Sequence, residues 1–210
     1  MVIDLCGRVL LRKPVDAHRG VRWTFAKGKP QPGESPEETA LREVSDVTQG
    51  SRRVNPGSVF IAVRGTSGDG HGFIPIAVER GAVALVVEDE SRIPIGYSGA
   101  VVKVPDARRA LDLLATHFFG QPARDLFCVG ITGTNGKTTT AYMLEAIFTR
   151  FGWPTGVMGT IDHHLGSKCW KSGLTTPDAL TLQKRLREFR ELQARAAVFE
   201  VSSHALDQAR

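Results

Sequence analysis

Gly133, Gly136, Lys137 and Thr138 stand at a spacing that suits one piece of chemistry, the cradling of a nucleotide's phosphates. Glycines bounding a tight loop let backbone N–H groups turn toward one centre, a lysine directly after them reaches the outer phosphates, and the next hydroxyl can meet Mg²⁺. The loop follows an apolar run, Leu126 to Ile131, expected as a buried strand with Cys128 in its core. It opens a helix on which Ala141, Leu144, Phe148 and Phe151 share one face. The strict P-loop pattern asks for glycine where Ile131 stands, and Gly130 sits one residue early. An ordinary glycine-rich turn is the alternative, and the run Gly136-Lys137-Thr138-Thr139 at the helix start argues against it.

A second chemistry-bearing residue is Glu200, at the end of a strand expected over Ala196 to Val201. A carboxylate at the carboxyl end of a parallel strand beside a phosphate loop is where a metal ligand belongs, which makes Glu200 and Thr138 the Mg²⁺ candidates. A third set, Glu34, Glu38 and Glu43, has the spacing of charges on a solvated helix.

The elements that position these residues read as alternating strand and helix. Val59 to Val63 and Ala82 to Val87 are strand candidates, and Ala107, Ala110, Leu111, Leu114 and Phe118 recur at helical spacing. Gly120 and Pro122 end that helix, so a domain boundary is expected between Gly120 and Asp125. Thr155 to Ile161 reads as a further strand. Thr176 reads as an N-cap with Pro177 at the first helical position, ahead of a helix whose apolar face holds Leu182, Leu186, Phe189 and Leu192.

The whole chain of 210 residues, 41% apolar and 23% charged, has the composition of a folded soluble protein. Its longest apolar run, Ala82 to Val87, is far short of the roughly 18 residues of a membrane span, and the N-terminus has no signal-peptide pattern, so a cytoplasmic location and no membrane insertion are expected. Three scattered cysteines, Cys6, Cys128 and Cys169, support neither a disulfide framework nor a zinc cluster. The net charge of +5 suits an anionic ligand, and no nucleic-acid motif accompanies it.

The run Gly130 to Thr139 fits the G-x-x-G-T-N-G-K-T-T signature of the Mur ligases, ATP-dependent enzymes that add amino acids to the bacterial cell-wall precursor. Two more stretches resemble the E-type branch of that family, which adds the third peptide residue. One is Val47 to Gly65 with Asp69-Gly70-His71, and the other is Glu200-Val201-Ser202-Ser203-His204-Ala205-Leu206-Asp207-Gln208-Ala209-Arg210. Thr175-Thr176-Pro177 matches the same branch. Gly50 stands where the family usually has aspartate before Ser51-Arg52, which weakens a polar anchor near the uridine. Residues 5 to 44 resemble a different family, the Nudix hydrolases: Gly28, five residues, Glu34, seven residues, then Arg42-Glu43 and Val44. The acidic pair that box requires next falls on Asp46 and Val47, and its glycine position holds Gln49, so half of its metal cluster is missing.

The resemblance implies an α/β fold: a Nudix-like fragment over 1–44, a Mur-ligase N-terminal, UDP-binding domain over 45–122, and over 123–210 the first part of a P-loop parallel-sheet ATPase domain. It implies Lys137 as the catalytic lysine, with Gly133, Thr134, Asn135, Gly136, Lys137, Thr138 and Thr139 binding ATP and with Thr138 and Glu200 on Mg²⁺. Ser51, Thr175, Thr176, Ser202, Gln208 and Arg210 would bind the UDP-sugar, while His204 is left without a role. The implied substrates are UDP-N-acetylmuramoyl-dipeptide and a diamino acid, either diaminopimelate or lysine, handled by a monomer. Because the rest of the ligase would lie beyond Arg210, the chain as it stands is expected not to complete ligation. A Nudix-type diphosphate hydrolase and a non-catalytic UDP-sugar-binding fragment are the rival readings. Folate polyglutamate synthases share the ligase architecture, but the Ser51 and Glu200–Arg210 regions favour the cell-wall branch.

Overall fold

Ser58–Ile61 and Ala84–Val87 are buried at every position, as strands covered on both faces must be. The computed structural model describes residues 2–3, 9–10, 44–65 and 68–207. Gly28, Glu34, Glu38, Arg42 and Glu43 of the Nudix-like stretch therefore lie outside the described residues, as do Gln208 and Arg210. The chain forms two compact units that divide between Leu113 and Leu114.

The first unit begins with a short antiparallel pair, β1 (Val2–Ile3) and β2 (Val9–Leu10). A four-stranded parallel sheet follows in the order β3 (Asp46–Thr48), β4 (Ser58–Ile61), β5 (Ala84–Val87) and β6 (Ala100–Lys103). Phe60, Leu85 and Val87 from the sheet pack with Ile74 and Ala77 of α1 (Ile74–Glu79). His71 is buried between two strand ends: its Nδ1 lies 2.6 Å from Asp69 Oδ1, and its Nε2 accepts the N–H groups of Glu88 and Asp89 at 3.1 and 3.2 Å. Those two acceptances fix the proton on Nδ1 and make His71 a structural tie. Helix α2 (Ala107–Phe118), within which the two units divide, buries Ala107, Ala110, Leu111 and Ala115 on one face, as its spacing requires. The carboxylate of Asp106 accepts the N–H groups of Arg108 and Arg109 at 2.9 Å each and caps it.

The second unit is a five-stranded sheet in the order β10-β9-β8-β11-β7, built from β7 (Phe127–Ile131), β8 (Thr155–Met158), β9 (Asp162–Leu165), β10 (Lys168–Lys171) and β11 (Ala196–Glu200). β7, β11 and β8 run parallel, and the β9–β10 hairpin extends them antiparallel. Alternation along the strands feeds two cores. Val157 and Val198 meet Ala141, Leu144 and Phe148 of α3 (Lys137–Arg150), while Met158 and Ala197 meet Leu186 and Phe189 of α4 (Ala179–Glu191). A final turn of helix, α5, spans Ser203–Asp207. No helix among the described residues is long and apolar enough to cross a membrane.

Several local expectations are corrected here. Cys128 is exposed, because among the described residues β7 pairs only with β11 and forms the sheet's edge. Phe151 is 77% exposed, since it follows the last turn of α3, where the chain leaves the sheet. The cap of α4 is Asp178, whose carboxylate accepts the Thr181 N–H at 2.9 Å; Thr176 is engaged elsewhere. The strand expected over Thr155 to Ile161 stops at Met158.

Two adjacent histidines on β9 face opposite sides of the sheet and carry opposite pH dependences. His163 is buried with no hydrogen-bond partner at either ring nitrogen; burial, then the charge of Arg185, pushes its pKa below the usual value. The unfolded chain therefore takes a proton near pH 6.5 that the folded chain refuses, and stability falls as pH drops through that value. His164 lies 2.7 Å from Asp162 Oδ1 and 3.0 Å from Glu145 Oε1. Burial pulls its pKa down, but those hydrogen bonds outweigh it and the pKa is raised. Its contribution is complete below pH 6.5 and is lost as pH rises through the folded value. Urea midpoints measured across pH 5 to 9 are expected to lose their acid limb in His163→Leu and their alkaline limb in His164→Gln.

Candidate functional site

β7 ends at Ile131 and the loop turns through Gly133 (φ 140°) and Gly136 (φ 79°), conformations that glycine adopts without strain. Gly136 is the N-cap of α3, so the N–H groups of Lys137, Thr138 and Thr139 open the helix without intrahelical acceptors, a ready anion seat. Thr134 and Asn135 lie exposed at the loop's tip. The Lys137 ammonium folds back over the loop and donates to the carbonyls of Gly133 at 2.6 Å and Thr134 at 3.3 Å. Its charge thus stays over the space the loop encloses.

Parallel pairing of β7 with β11 places Glu200 opposite Ile131, beside the loop. Glu200 is 1% exposed, and both of its carboxylate oxygens are engaged. Oε1 accepts the Thr138 hydroxyl at 2.9 Å and the Thr160 N–H at 3.0 Å, and Oε2 lies 3.2 Å from the Thr160 hydroxyl. Gly159 makes room for it: a Cβ there would sit 2.4 Å from Oε1. Among the described residues no group of three or more His, Cys, Asp or Glu side chains is arranged to hold a metal ion. One carboxylate beside one hydroxyl at a phosphate seat nevertheless fits Mg²⁺, which takes few protein ligands and completes its shell with phosphate oxygens and water.

The structure brings Thr175, Thr176 and Ser202 to the same corner. Thr176 is buried; its hydroxyl donates to the Glu200 carbonyl at 3.0 Å and accepts the Ser202 N–H at 2.9 Å. Ser202 Oγ accepts the Ala205 N–H at 3.1 Å and caps α5. Thr175 is half-buried, with its hydroxyl 3.2 Å from that of Thr160. Ser51 belongs to the first unit, where it starts the turn Ser51–Arg53 after β3. Thr160 escaped the sequence reading. The one signal for it is a threonine directly after Gly159 at the end of a buried strand.

Residues 131–210 match the Mur ligase middle domain, and residues 43–119 match the catalytic domain of the Mur ligase family. The chain belongs to the Mur ligase family. It is 48% identical over 169 residues to the UDP-N-acetylmuramoyl-L-alanyl-D-glutamate--2,6-diaminopimelate ligase of Geobacter sulfurreducens, covering 80% of this chain and 33% of that protein. The ligase of the same name from Aquifex aeolicus is 48% identical over 170 residues, with 81% and 34% covered. A solved UDP-N-acetylmuramoyl-L-alanyl-D-glutamate--2,6-diaminopimelate ligase superposes with a TM-score of 0.65 at 28% identity, over 78% of this chain and 33% of that one. The chain thus spans about a third of the length of the Mur ligases it matches. Residues 2–46 match the NUDIX domain. Asp46 and Val47, at the acidic-pair positions of that box, lie in β3 beside the Mur-ligase strand β4, and the Asp46 carboxylate accepts the Val47 N–H at 2.9 Å.

Proposed function

We propose that the chain is the nucleotide- and UDP-sugar-binding part of an ATP-dependent ligase of peptidoglycan precursor synthesis, which joins a diamino acid to UDP-N-acetylmuramoyl-L-alanyl-D-glutamate. The observation that carries this reading is the 2.9 Å contact between Thr138, on the phosphate loop, and the buried Glu200 on the neighbouring parallel strand. That pair is what Mg²⁺ and a nucleoside triphosphate require. The names of the relatives favour diaminopimelate over lysine as the added residue. The same proposal takes 1–44, 45–122 and 123–210 as the domains and a monomeric, cytoplasmic protein as their context.

In this reading the substrate carboxylate attacks the γ-phosphorus of ATP, ADP leaves, and the amine of the incoming amino acid displaces phosphate from the acyl phosphate. The loop N–H groups of Gly133 to Thr139 hold the phosphates. Lys137 leaves its two carbonyls and follows the charge of the transferring phosphoryl group. Thr138 and Glu200 would hold Mg²⁺, which when bound would supply further neutralisation of the phosphate charge. Thr175, Thr176, Ser202 and Ser51 are assigned to the UDP-sugar, as are Gln208 and Arg210. The hydroxyl of Thr175 is freer for this than that of Thr176, which is already spent within the fold.

Titration calorimetry tests the proposal. Heat with both ATP·Mg²⁺ and UDP-N-acetylmuramoyl-L-alanyl-D-glutamate supports it; heat with neither overturns it. Mg²⁺-dependent cleavage of a nucleoside diphosphate derivative that is lost in Glu43→Gln would instead favour the hydrolase.

A further inference from the structure

We infer that Thr160 is a positioning residue for the metal-side carboxylate, and that its hydroxyl links Glu200 to the loop bearing Thr175. The inference rests on the reading of Glu200 and Thr138 as the Mg²⁺ side of the site.

Glu200 is buried, and three donors reach its two carboxylate oxygens. Two of the three come from Thr160, which offers both its main-chain N–H and its hydroxyl. Thr160 therefore grips both oxygens of the carboxylate, while Thr138 touches one. A carboxylate held at both oxygens cannot rotate about its last bond, and the oxygen turned toward Thr138 is set by that grip.

The hydroxyl of Thr160 is 3.2 Å from Glu200 Oε2 and 3.2 Å from Thr175 Oγ1. It has a single proton to give, and the carboxylate is the stronger acceptor. Thr160 therefore donates to Glu200 and accepts from the Thr175 hydroxyl. This makes a short chain of hydroxyls from the half-exposed Thr175 to the buried carboxylate. The close approach depends on Gly159, because any side chain there would displace Glu200 from it.

Replacement of Thr160 by valine keeps the shape and removes the donor. Calorimetric titration of the chain with ATP, with and without Mg²⁺, is expected to show an approximately tenfold loss of the Mg²⁺-dependent part of the affinity, the worth of one hydrogen bond to a charged group. Affinity without Mg²⁺ and the urea midpoint are expected to change little, and Thr160→Ser is expected to restore the wild-type dependence. Thr175→Val, at a half-exposed position, is expected to give a smaller loss of the same kind, on the order of twofold, through the weakened chain. Glu200→Gln serves as the control. If Glu200→Gln removes the Mg²⁺ dependence and Thr160→Val leaves it intact, the positioning role is overturned while the metal assignment stands. If Glu200→Gln also leaves it intact, the metal assignment itself falls. An equal loss in Thr160→Val with and without Mg²⁺ marks Thr160 as merely structural and overturns the inference as well.

Discussion

With Lys137 replaced by alanine, ATP binding is expected to weaken about 10- to 100-fold, roughly 1.4 to 2.8 kcal/mol, the range of one or two hydrogen bonds to a charged group. Among the described residues the lysine is held by the two loop carbonyls of Gly133 and Thr134, so its loss leaves no buried group stranded there. The unfolding free energy is accordingly expected to stay within about 0.5 kcal/mol of the unsubstituted chain. Displacement of a fluorescent nucleotide measures the first quantity and urea unfolding the second. Binding unchanged in the variant would sink the assignment of the phosphate loop. Arginine is not expected to rescue, because its planar fork cannot follow the carbonyl-lined path that a compact ammonium takes.

The largest stability effect is expected at Phe189. Its ring is fully buried among Leu126, Met158, Leu186, Ala194 and Ala197, and Trp170 meets it edge-on at 5.9 Å. Strand β8 comes so close that a Cβ on Gly156 would lie 2.3 Å from the ring. Truncation to alanine is expected to cost about 3–5 kcal/mol, the range for removing a fully buried ring from a packed core. Gly156→Ala fails from the other side, forcing the ring to move at about 1–3 kcal/mol. Urea denaturation measures both; a loss below about 1 kcal/mol for Phe189→Ala would show that the second unit's core lies elsewhere. The consequence reaches function, because β8 and α4 brace β11, which ends in Glu200.

The phosphate loop and Glu200 were legible in the sequence because each is locally encoded: a glycine-lysine-threonine run after an apolar strand, and a carboxylate where a second apolar strand stops. The strands β4, β5 and β11 and the helices α2, α3 and α4 were legible for the same reason. What stayed hidden depends on contacts distant in sequence. Thr160 looks like any turn threonine until β8 and β11 lie side by side. Thr176 resembled a cap because Thr-Pro-Asp is a common helix start, and its hydroxyl was drawn instead to the turn after β11. Strand β9, Asp162-His163-His164-Leu165, carries no apolar alternation. Its polar residues are held by Glu145 on one face and enclosed beside Arg185 on the other. Cys128 looked like a core residue from its place in an apolar strand and Phe151 from its helical spacing, and the edge position of β7 exposes the first. Among the residues of the proposed metal-side corner, Thr138 and Glu200 were read from the chain and Thr160 was not.

The strand order of the second unit also sets the order in which it can be made. Within this unit β7, α3 and β8 emerge from the ribosome first, yet β7 and β8 do not pair, because β11, the last of the described strands, lies between them. Until that segment is synthesised, the loop's parent strand has no partner among the described strands, and closing that pair requires a contact across most of the unit. During translation the nascent chain therefore carries a β7 whose backbone N–H and C=O groups have no strand partner, although Phe127 can already meet Phe148 and Trp153, a span in which a holdase chaperone has something to grip.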